Sequence, residues 1–247
     1  DSAMITLYLT EDGLILGKHE NRLQIKTRGG ELLREVPMEK VDGVVLTGHS
    51  HVTSPLMVEL LEREIPLTWL SPVGKFYGRL DPATGVNIER QREQFRRSDD
   101  AEFCLSLAKS FLTGKIKNGQ VLLRRYNKDL KLSRVEEIAE EMKRYILKIQ
   151  NGNSIEEIMG YEGNASRIYF EGMNFFVSKD FKFKGRTRQP PTDPFNSLLS
   201  FGYTLLMYEI YTAIINKGLH PYSSFMHKIR RGHPALASDL MEEWRPV

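Results

Sequence analysis

Near residue 82 the hydrophobic pattern of the chain changes period, and that change does most to fix what it can fold into. From residue 5 to about residue 81, apolar residues come in short runs punctuated by Gly13, Gly17, Gly29-Gly30, Gly43 and Gly74. Such runs read as short strands between turns, which predicts strands at 5–9, 14–18, 22–26, 32–37, 44–47, 67–70 and 75–79. A helix at 54–63 interrupts them, with Ser54 placed to cap it, Pro55 suited to its first position, and Leu56, Val58, Leu60 and Leu61 as its apolar stripe. From Ala101 onward apolar residues recur at helical spacing, as in Phe103, Leu107 and Phe111, then Val121 to Leu123, then 135–149. The expected class is therefore α+β, with a β-rich, β-sandwich-like N-terminal domain at 4–81 and an all-α C-terminal domain at 101–247. Between them, 82–100 reads as a linker, because Pro82-Ala83-Thr84-Gly85 is a loop and 87–97 is polar and basic.

Within the helical half, Ser154 with Glu157 three residues on is a capping-box pattern that should start a helix at Ile155. Gly160 permits a kink, after which 165–176 resumes a helical face. The Pro190-Pro191 pair makes 182–194 a loop, 195–215 is a long, largely apolar helix, and Gly218 closes it.

With 40% hydrophobic and 27% charged residues, the chain can bury a real core, which excludes global disorder. Lys and Arg outnumber Asp and Glu only 35 to 32, so total charge says little about partners. Distribution says more: basic residues gather at 90–97, 115–131, 179–188 and 228–231, each group near aromatics, a spacing that fits a nucleic-acid backbone. Cys104 is the single cysteine, so no intrachain disulfide can form, a metal site would draw on His and carboxylates, and a reducing cytosol is the expected compartment. Cys104 itself falls in an apolar helical stripe and reads as buried and structural. No apolar run is read as approaching the roughly 20 residues that span a bilayer, so a cytoplasmic protein without a membrane partner is expected. Residues 1–3 read as a tag remnant before Met4, and the natural chain is expected to continue past Trp244-Arg245-Pro246-Val247.

Three of the six histidines, His220, His227 and His233, fall near the C-terminus, followed by Asp239, Glu242 and Glu243 at spacings i, i+3, i+4. On a helix that spacing puts Asp239 on one face with both glutamates, although such a triplet taken alone reads first as solvated acids at a helix start. Glu162, beside Gly163, Asn164 and Ala165, alone reads as an ordinary exposed glutamate. One histidine with two carboxylates nevertheless suits Mg²⁺ or Mn²⁺ at a phosphoryl-transfer site. No serine or cysteine has a convincing base beside it, which disfavours covalent catalysis.

Several motifs, in one order, resemble the family of CRISPR-associated protein one, the spacer-acquisition integrase. They are Glu162-Gly163-Asn164-Ala165-Ser166-Arg167-Ile168-Tyr169-Phe170, Arg188-Gln189-Pro190-Pro191-Thr192-Asp193-Pro194, Leu198-Leu199-Ser200-Phe201-Gly202-Tyr203, Gly218-Leu219-His220-Pro221-Tyr222, Phe225-Met226-His227 and Asp239-Leu240-Met241-Glu242-Glu243-Trp244-Arg245-Pro246. The N-terminal strands, Gly43-Val44-Val45-Leu46 and Pro66-Leu67-Thr68-Trp69-Leu70 also resemble the family's β domain. The resemblance implies a divalent metal, Mg²⁺ or Mn²⁺, held by Glu162, His227 and Glu242, with Asp239 close enough to share the catalytic role, and His220 making a structural hydrogen bond. It implies a metal-dependent DNA endonuclease and integrase that inserts spacer DNA into a CRISPR array by transesterification. Its partners would be double-stranded DNA (spacer precursor and CRISPR repeat), a second copy of the chain as a homodimer through the β domain, and a small companion acquisition protein. Lys182, Lys184, Arg186 and Arg188 would hold DNA backbone near the metal, with Lys228, Arg230 and Arg231 flanking His227. Tyr161, Tyr169 and Tyr203 are expected in the core rather than stacked on bases. Two departures stand out: Ser223-Ser224 replaces a larger residue and Gly, and His233 replaces a common Arg. The competing classes are a non-catalytic DNA-binding scaffold and a helix-turn-helix regulator, for which no basic recognition helix after a Gly turn is evident.

Overall fold

The structure, a computed structural model, describes residues 4–82, 86–177 and 194–246. The chain divides into two units, Asp1–Val86 and Asn87–Val247.

The first unit holds two four-stranded sheets on one core. Strands β1 (Ile5–Leu9), β5 (Val41–Thr47), β7 (Leu67–Leu70) and β8 (Phe76–Leu80) form one sheet in the order β1-β5-β7-β8, parallel except for the antiparallel β7–β8 pair. Strand β5 lies inside that sheet and is buried at six of its seven residues, as its nearly unbroken apolar sequence requires. The second sheet runs β4 (Leu32–Pro37), β3 (Arg22–Lys26), β2 (Ile15–His19), β6 (His51–Val52). Here β3 alternates, with Leu23 and Ile25 buried. Helix α1 (Ser54–Glu62) adds Leu56 and Leu60 to a core that also contains Leu7, Leu16 and Leu46.

Strand ends differ from the expected ones by a few residues. Strand β6 escapes the sequence pattern, because two residues carry no period; it is defined by its pairing with Ile15 and Leu16. The cap of α1 is also corrected: Thr53 occupies the N-cap with no side-chain capping bond, and Ser54 is already helical.

The second unit is helical, and it begins earlier than the sequence suggested. Residues within the expected linker form α2 (Ile88–Ser98), started by Asn87, whose side-chain oxygen accepts the Arg90 N–H at 2.9 Å. The polar composition of this segment hid it, since α2 buries only Gln94. Asp100 then caps α3 (Ala101–Leu130) by accepting the Phe103 N–H at 2.9 Å, and α4 (Ser133–Asn151) follows. Ser154 accepts the Glu157 N–H at 3.2 Å and so starts α5 (Ile155–Met173), while the Glu157 carboxylate accepts the Asn153 N–H at 2.8 Å. The expected kink is absent, because α5 runs unbroken through Gly160 and Gly163. A glycine weakens a helix by about 1 kcal/mol relative to alanine without breaking it.

Helices α3, α4 and α5 share a core that includes Leu112, Ile116, Leu123, Ile138, Met142 and Ile168. Glycines let them come close. A Cβ on Gly119 would stand 3.0 Å from Met142 Cε and 3.2 Å from Tyr169 Cδ2, and one on Gly172 would stand 2.9 Å from Leu123 Cδ2.

Helix α6 (Pro194–Asn216) ends as its glycine predicts. Gly218 has φ +71°, its N–H donates to Ile215 O at 2.8 Å, and the Leu219 N–H donates to Ile214 O at 3.1 Å, the bonding of a Schellman turn. Contrary to the sequence reading, the 196–216 stretch is one helix long and apolar enough, by length and composition, to cross a membrane. Its single charged residue, Glu209, lies among tyrosines and small polar residues that interrupt the apolar run to the eye without lowering the average enough. The Pro190-Pro191 loop lies outside the described residues. The chain closes with α7 (Ala235–Met241) and a 3₁₀ turn, Glu242–Trp244.

Three substitutions test this packing by urea unfolding. Gly172→Ala is expected to cost about 1–3 kcal/mol through overpacking, and Ser154→Ala about 1 kcal/mol through the lost cap. Gly160→Ala, with nothing within 4 Å of the added carbon, should instead gain up to about 1 kcal/mol.

Candidate metal centre

The centre is built in the second unit on a side chain that sequence reasoning had counted among the DNA-facing basic residues. Lys115 lies on α3 between Phe111 and Gly119, each a helical turn away, within the buried stripe of that helix, and only 9% of its surface is exposed. A lysine there needs partners, since an unpaired buried ammonium is costly. It has two: its Nζ donates to Glu242 Oε2 at 2.6 Å and contacts Glu162 Oε1. Lys115 thus bridges the carboxylate of α5 to that of the C-terminal 3₁₀ turn. The Ser166 hydroxyl, one turn on from Glu162, also donates to Glu162 Oε1.

Around Lys115, small and polar residues make room for the C-terminal turn. The Asn118 side-chain amide donates to Glu243 O at 2.7 Å. A Cβ on Gly114 would stand 2.8 Å from Glu243 Oε1. Tyr169 donates to Pro246 O at 2.8 Å and Tyr203 to Arg245 O at 3.3 Å, so both hold the same turn. Tyr161 donates to Glu157 Oε1 at 2.9 Å.

His227 reaches the centre from the loop before α7, and Asp239 fixes it there. Asp239 is wholly buried, with both oxygens engaged. Oδ2 accepts the N–H groups of Phe225 at 2.6 Å and Met226 at 3.0 Å, and Oδ1 accepts the His227 N–H at 2.8 Å. Oδ1 also lies 2.7 Å from His227 Nδ1. An ionised carboxylate only accepts, so Nδ1 carries the proton, and in the neutral ring the lone pair lies on Nε2. Nε2 is 3.6 Å from Glu242 Oε1. A histidine oriented through its other nitrogen by a carboxylate is a common arrangement behind a metal ligand.

More of the chain supports this loop. Gln94 of α2 is buried; its amide donates to His220 O at 2.9 Å and Ser223 O at 2.8 Å, and its oxygen accepts the His220 N–H at 2.8 Å. The Ser224 hydroxyl donates to His227 O. His220 Nδ1 accepts the Tyr222 N–H at 3.3 Å, a structural bond, and His233 Nε2 lies 2.8 Å from Ser238 Oγ. Burial, with His227, Arg230 and Arg245 nearby, holds the His233 pKa below its usual value.

Glu242 carries the charge balance of the centre. Burial alone would raise its pKa, but Lys115, Arg245 and His227 outweigh burial and hold the carboxyl below the usual range. Arg245 Nη1 lies 3.2 Å from Glu242 Oε1, its guanidinium stands over the Tyr203 ring at 5.1 Å, and its Nε is buried without a partner among the described residues.

The structure therefore joins Glu162 and Glu242 through Lys115, brings His227 Nε2 to 3.6 Å from Glu242 Oε1 and sets Asp239 behind His227. Among the described residues no three His, Cys, Asp or Glu side chains stand close enough together to hold an ion as they are, and Lys115 Nζ contacts one oxygen of each of Glu162 and Glu242. The donor set fits Mg²⁺ or Mn²⁺ in kind: two carboxylates and an imidazole nitrogen, with one cation already stabilised between the carboxylates. Lys228, Arg230 and Arg231 are exposed beside His227. Lys182, Lys184, Arg186 and Arg188 lie outside the described residues. Cys104 is buried, with Sγ 3.5 Å from Arg97 O, and burial raises its pKa.

Residues 7–247 match the family model described as CRISPR associated protein Cas1. The CRISPR-associated endonuclease Cas1 of Mycobacterium tuberculosis is 39% identical over 211 residues, which are 85% of this chain and 62% of that protein. The chain thus spans less than two thirds of that relative's length. Among solved structures, a casposase bound to integration product aligns over 98% of this chain and 70% of that one, at 25% identity and a TM-score of 0.85. A chain of a Cas6-RT-Cas1–Cas2 complex aligns over 99% of this chain and 27% of its own length, at 27% identity and a TM-score of 0.78.

Replacing Asp239 with Asn keeps the shape but turns an amide toward N–H donors. Asp239→Asn should cost about 3 kcal/mol, the scale of lost hydrogen bonds to a buried charge, whereas Glu243→Gln should stay within about 0.5 kcal/mol. Denaturation midpoints of the two variants check this.

Proposed function

Because the chain belongs to the family of CRISPR-associated protein Cas1, we propose that it is a divalent-metal-dependent DNA endonuclease and integrase that inserts spacer DNA into a CRISPR array. The observation that carries the reading is the convergence on Glu242 of His227 directly and of Glu162 through Lys115, from α5, the 225–233 loop and the C-terminal turn, with Asp239 fixing the imidazole. Three chain segments hold oxygen and nitrogen donors together at a desolvation cost that ordinary surface acids would not incur.

Under this reading Glu162, His227 and Glu242 hold Mg²⁺ or Mn²⁺, which, when bound, polarises the scissile phosphodiester and stabilises the leaving oxygen. Asp239 is a positioning residue that keeps His227 Nε2 turned to the centre. The exposed Lys228, Arg230 and Arg231 contact DNA phosphates beside it, and Lys184, Arg186 and Arg188 do the same from the segment before α6. In the strand-transfer step a DNA 3′-hydroxyl oxygen loses its proton and forms a bond to phosphorus as the bond to the leaving 3′-oxygen breaks, and that oxygen takes up a proton in turn. One phosphodiester replaces another, so no external energy source is needed.

Double-stranded DNA as spacer precursor and CRISPR repeat, a homodimer through the β-rich unit, and a small companion acquisition protein of the Cas2 kind complete the proposed assembly. Its place is the cytoplasm, without a membrane partner. The solved relatives named for an integration product and for a Cas1–Cas2 complex support the DNA and companion partners.

The test is Mn²⁺-dependent strand transfer of a short duplex into a repeat-containing plasmid. Glu162→Ala and His227→Ala should each lower the rate by at least about a hundredfold, the scale on which losing a metal ligand or its support acts. Wild-type levels in either variant would remove it from the metal set. Tight, salt-dependent DNA binding by the wild type without turnover in Mg²⁺ or Mn²⁺ would favour the non-catalytic scaffold instead.

A further inference from the structure

The bridging lysine bears on how a metal enters the centre. A divalent ion drawing on Glu162 and Glu242 would stand close to Lys115 Nζ, which contacts Oε1 of Glu162 and Oε2 of Glu242. Even if the ion used the other carboxylate oxygens, the two cations would oppose each other, because charges about 4 Å apart repel strongly even at an effective dielectric near 20. Nor is the lysine a surface visitor: it is buried on α3 and makes both contacts from inside the unit.

Its chemistry suits exchange. An ammonium on a flexible four-carbon stem can turn away from a pair of carboxylates, as the planar guanidinium of Arg245, stacked over Tyr203, cannot without losing its ring contact. A cavity of about 30 Å³, with Ser166, Tyr169 and Arg245 on its walls, also borders Lys115. That is room for roughly one water beside the ammonium.

We propose that Lys115 is a built-in counter-ion of the centre, which holds Glu162 and Glu242 together in the metal-free protein and is displaced by the incoming divalent ion. The inference rests on the metal set named under the proposed function and adds a new element, exchange with an internal cation. Metal affinity is then the difference between two occupants rather than the strength of an empty site. Filling the centre with Lys115 keeps buried carboxylates neutralised before metal arrives, and it weakens metal binding by the same interaction.

The test needs no DNA and no turnover. Mn²⁺ binding to wild type, Lys115→Met and Lys115→Gln is measured by calorimetric titration, with thermal midpoints recorded with and without saturating Mn²⁺. The expected result is Mn²⁺ affinity raised at least about tenfold in both variants, the size of change when a competing like charge leaves a partly buried site. The metal-free midpoints should fall, and saturating Mn²⁺ should raise them further than in the wild type. Where Lys115→Met does not fold, Lys115→Gln, which keeps a polar group, gives the same reading. Unchanged or weaker Mn²⁺ affinity in the folded variants would make Lys115 a structural strut and overturn the inference while leaving the metal set standing. Wild type and variants that all fail to bind Mn²⁺ would overturn the metal set and the inference with it.

Discussion

Neutralising buried carboxylates is the constraint on which the second unit is organised. Asp239 has no exposed surface and Glu242 has 4%, and charges so placed destabilise a fold unless their oxygens find donors. Asp239 finds them in three consecutive backbone N–H groups and an imidazole. Those donors exist only when the chain at 225–227 curls around the carboxylate, so loop and helix α7 specify each other's conformation. Glu242, three residues on and across the boundary from α-helix to 3₁₀ turn, finds Lys115 and Arg245. One short segment therefore sends an acid to each of two tasks, building the loop and facing the centre.

That arrangement works only if α3 and α5 approach closely enough for Lys115 to reach Glu162. The approach is made by Gly119 and Gly172, where added carbons would collide with Tyr169, Met142 and Leu123. On the same face of α3, Gly114 and Asn118 admit the C-terminal turn, so Gly114, Lys115, Asn118 and Gly119 act together as a cradle. Apolar burial in the α3–α4–α5 core drives the assembly, and the glycines decide how near the charged groups come. Helix α2 contributes through Gln94, whose amide ties the 220–223 turn that leads into the segment carrying His227.

The sequence made much of this legible and concealed the rest for identifiable reasons. The change of period near residue 82 marked β-rich and helical halves correctly, because short strands and long helices bury apolar residues at different spacings. Helix α2 was concealed because it buries a glutamine rather than apolar residues. The resemblance pointed to Glu162, His227 and Glu242, and no spacing rule would have found them, since they come from segments far apart in the chain. Lys115 illustrates both sides. Its position in a buried stripe was readable from Phe111 and Gly119, but its partners were not, so it passed as one more basic residue near DNA. Asp239 was legible as a helix-face neighbour of Glu242, whereas the backbone donors of 225–227 that consume its oxygens carry no side-chain signature.

The departures from the family pattern fall outside the proposed ligand set, and their contacts explain why the chain can carry them. Ser224, where the resemblance expects Gly, donates its hydroxyl to His227 O, and the Ser223 backbone carbonyl accepts from Gln94. His233, where the resemblance expects Arg, pairs with Ser238, the neighbour of Asp239 on α7. An arginine would bring a permanent charge to within reach of Arg230 and Arg245, whereas burial and those same neighbours keep His233 toward its neutral form. The loop around His227 is thus held by the Asp239 carboxylate together with backbone and neutral side-chain bonds. The cation that touches both Glu162 and Glu242 is Lys115, and under the proposed exchange a divalent ion would take its place.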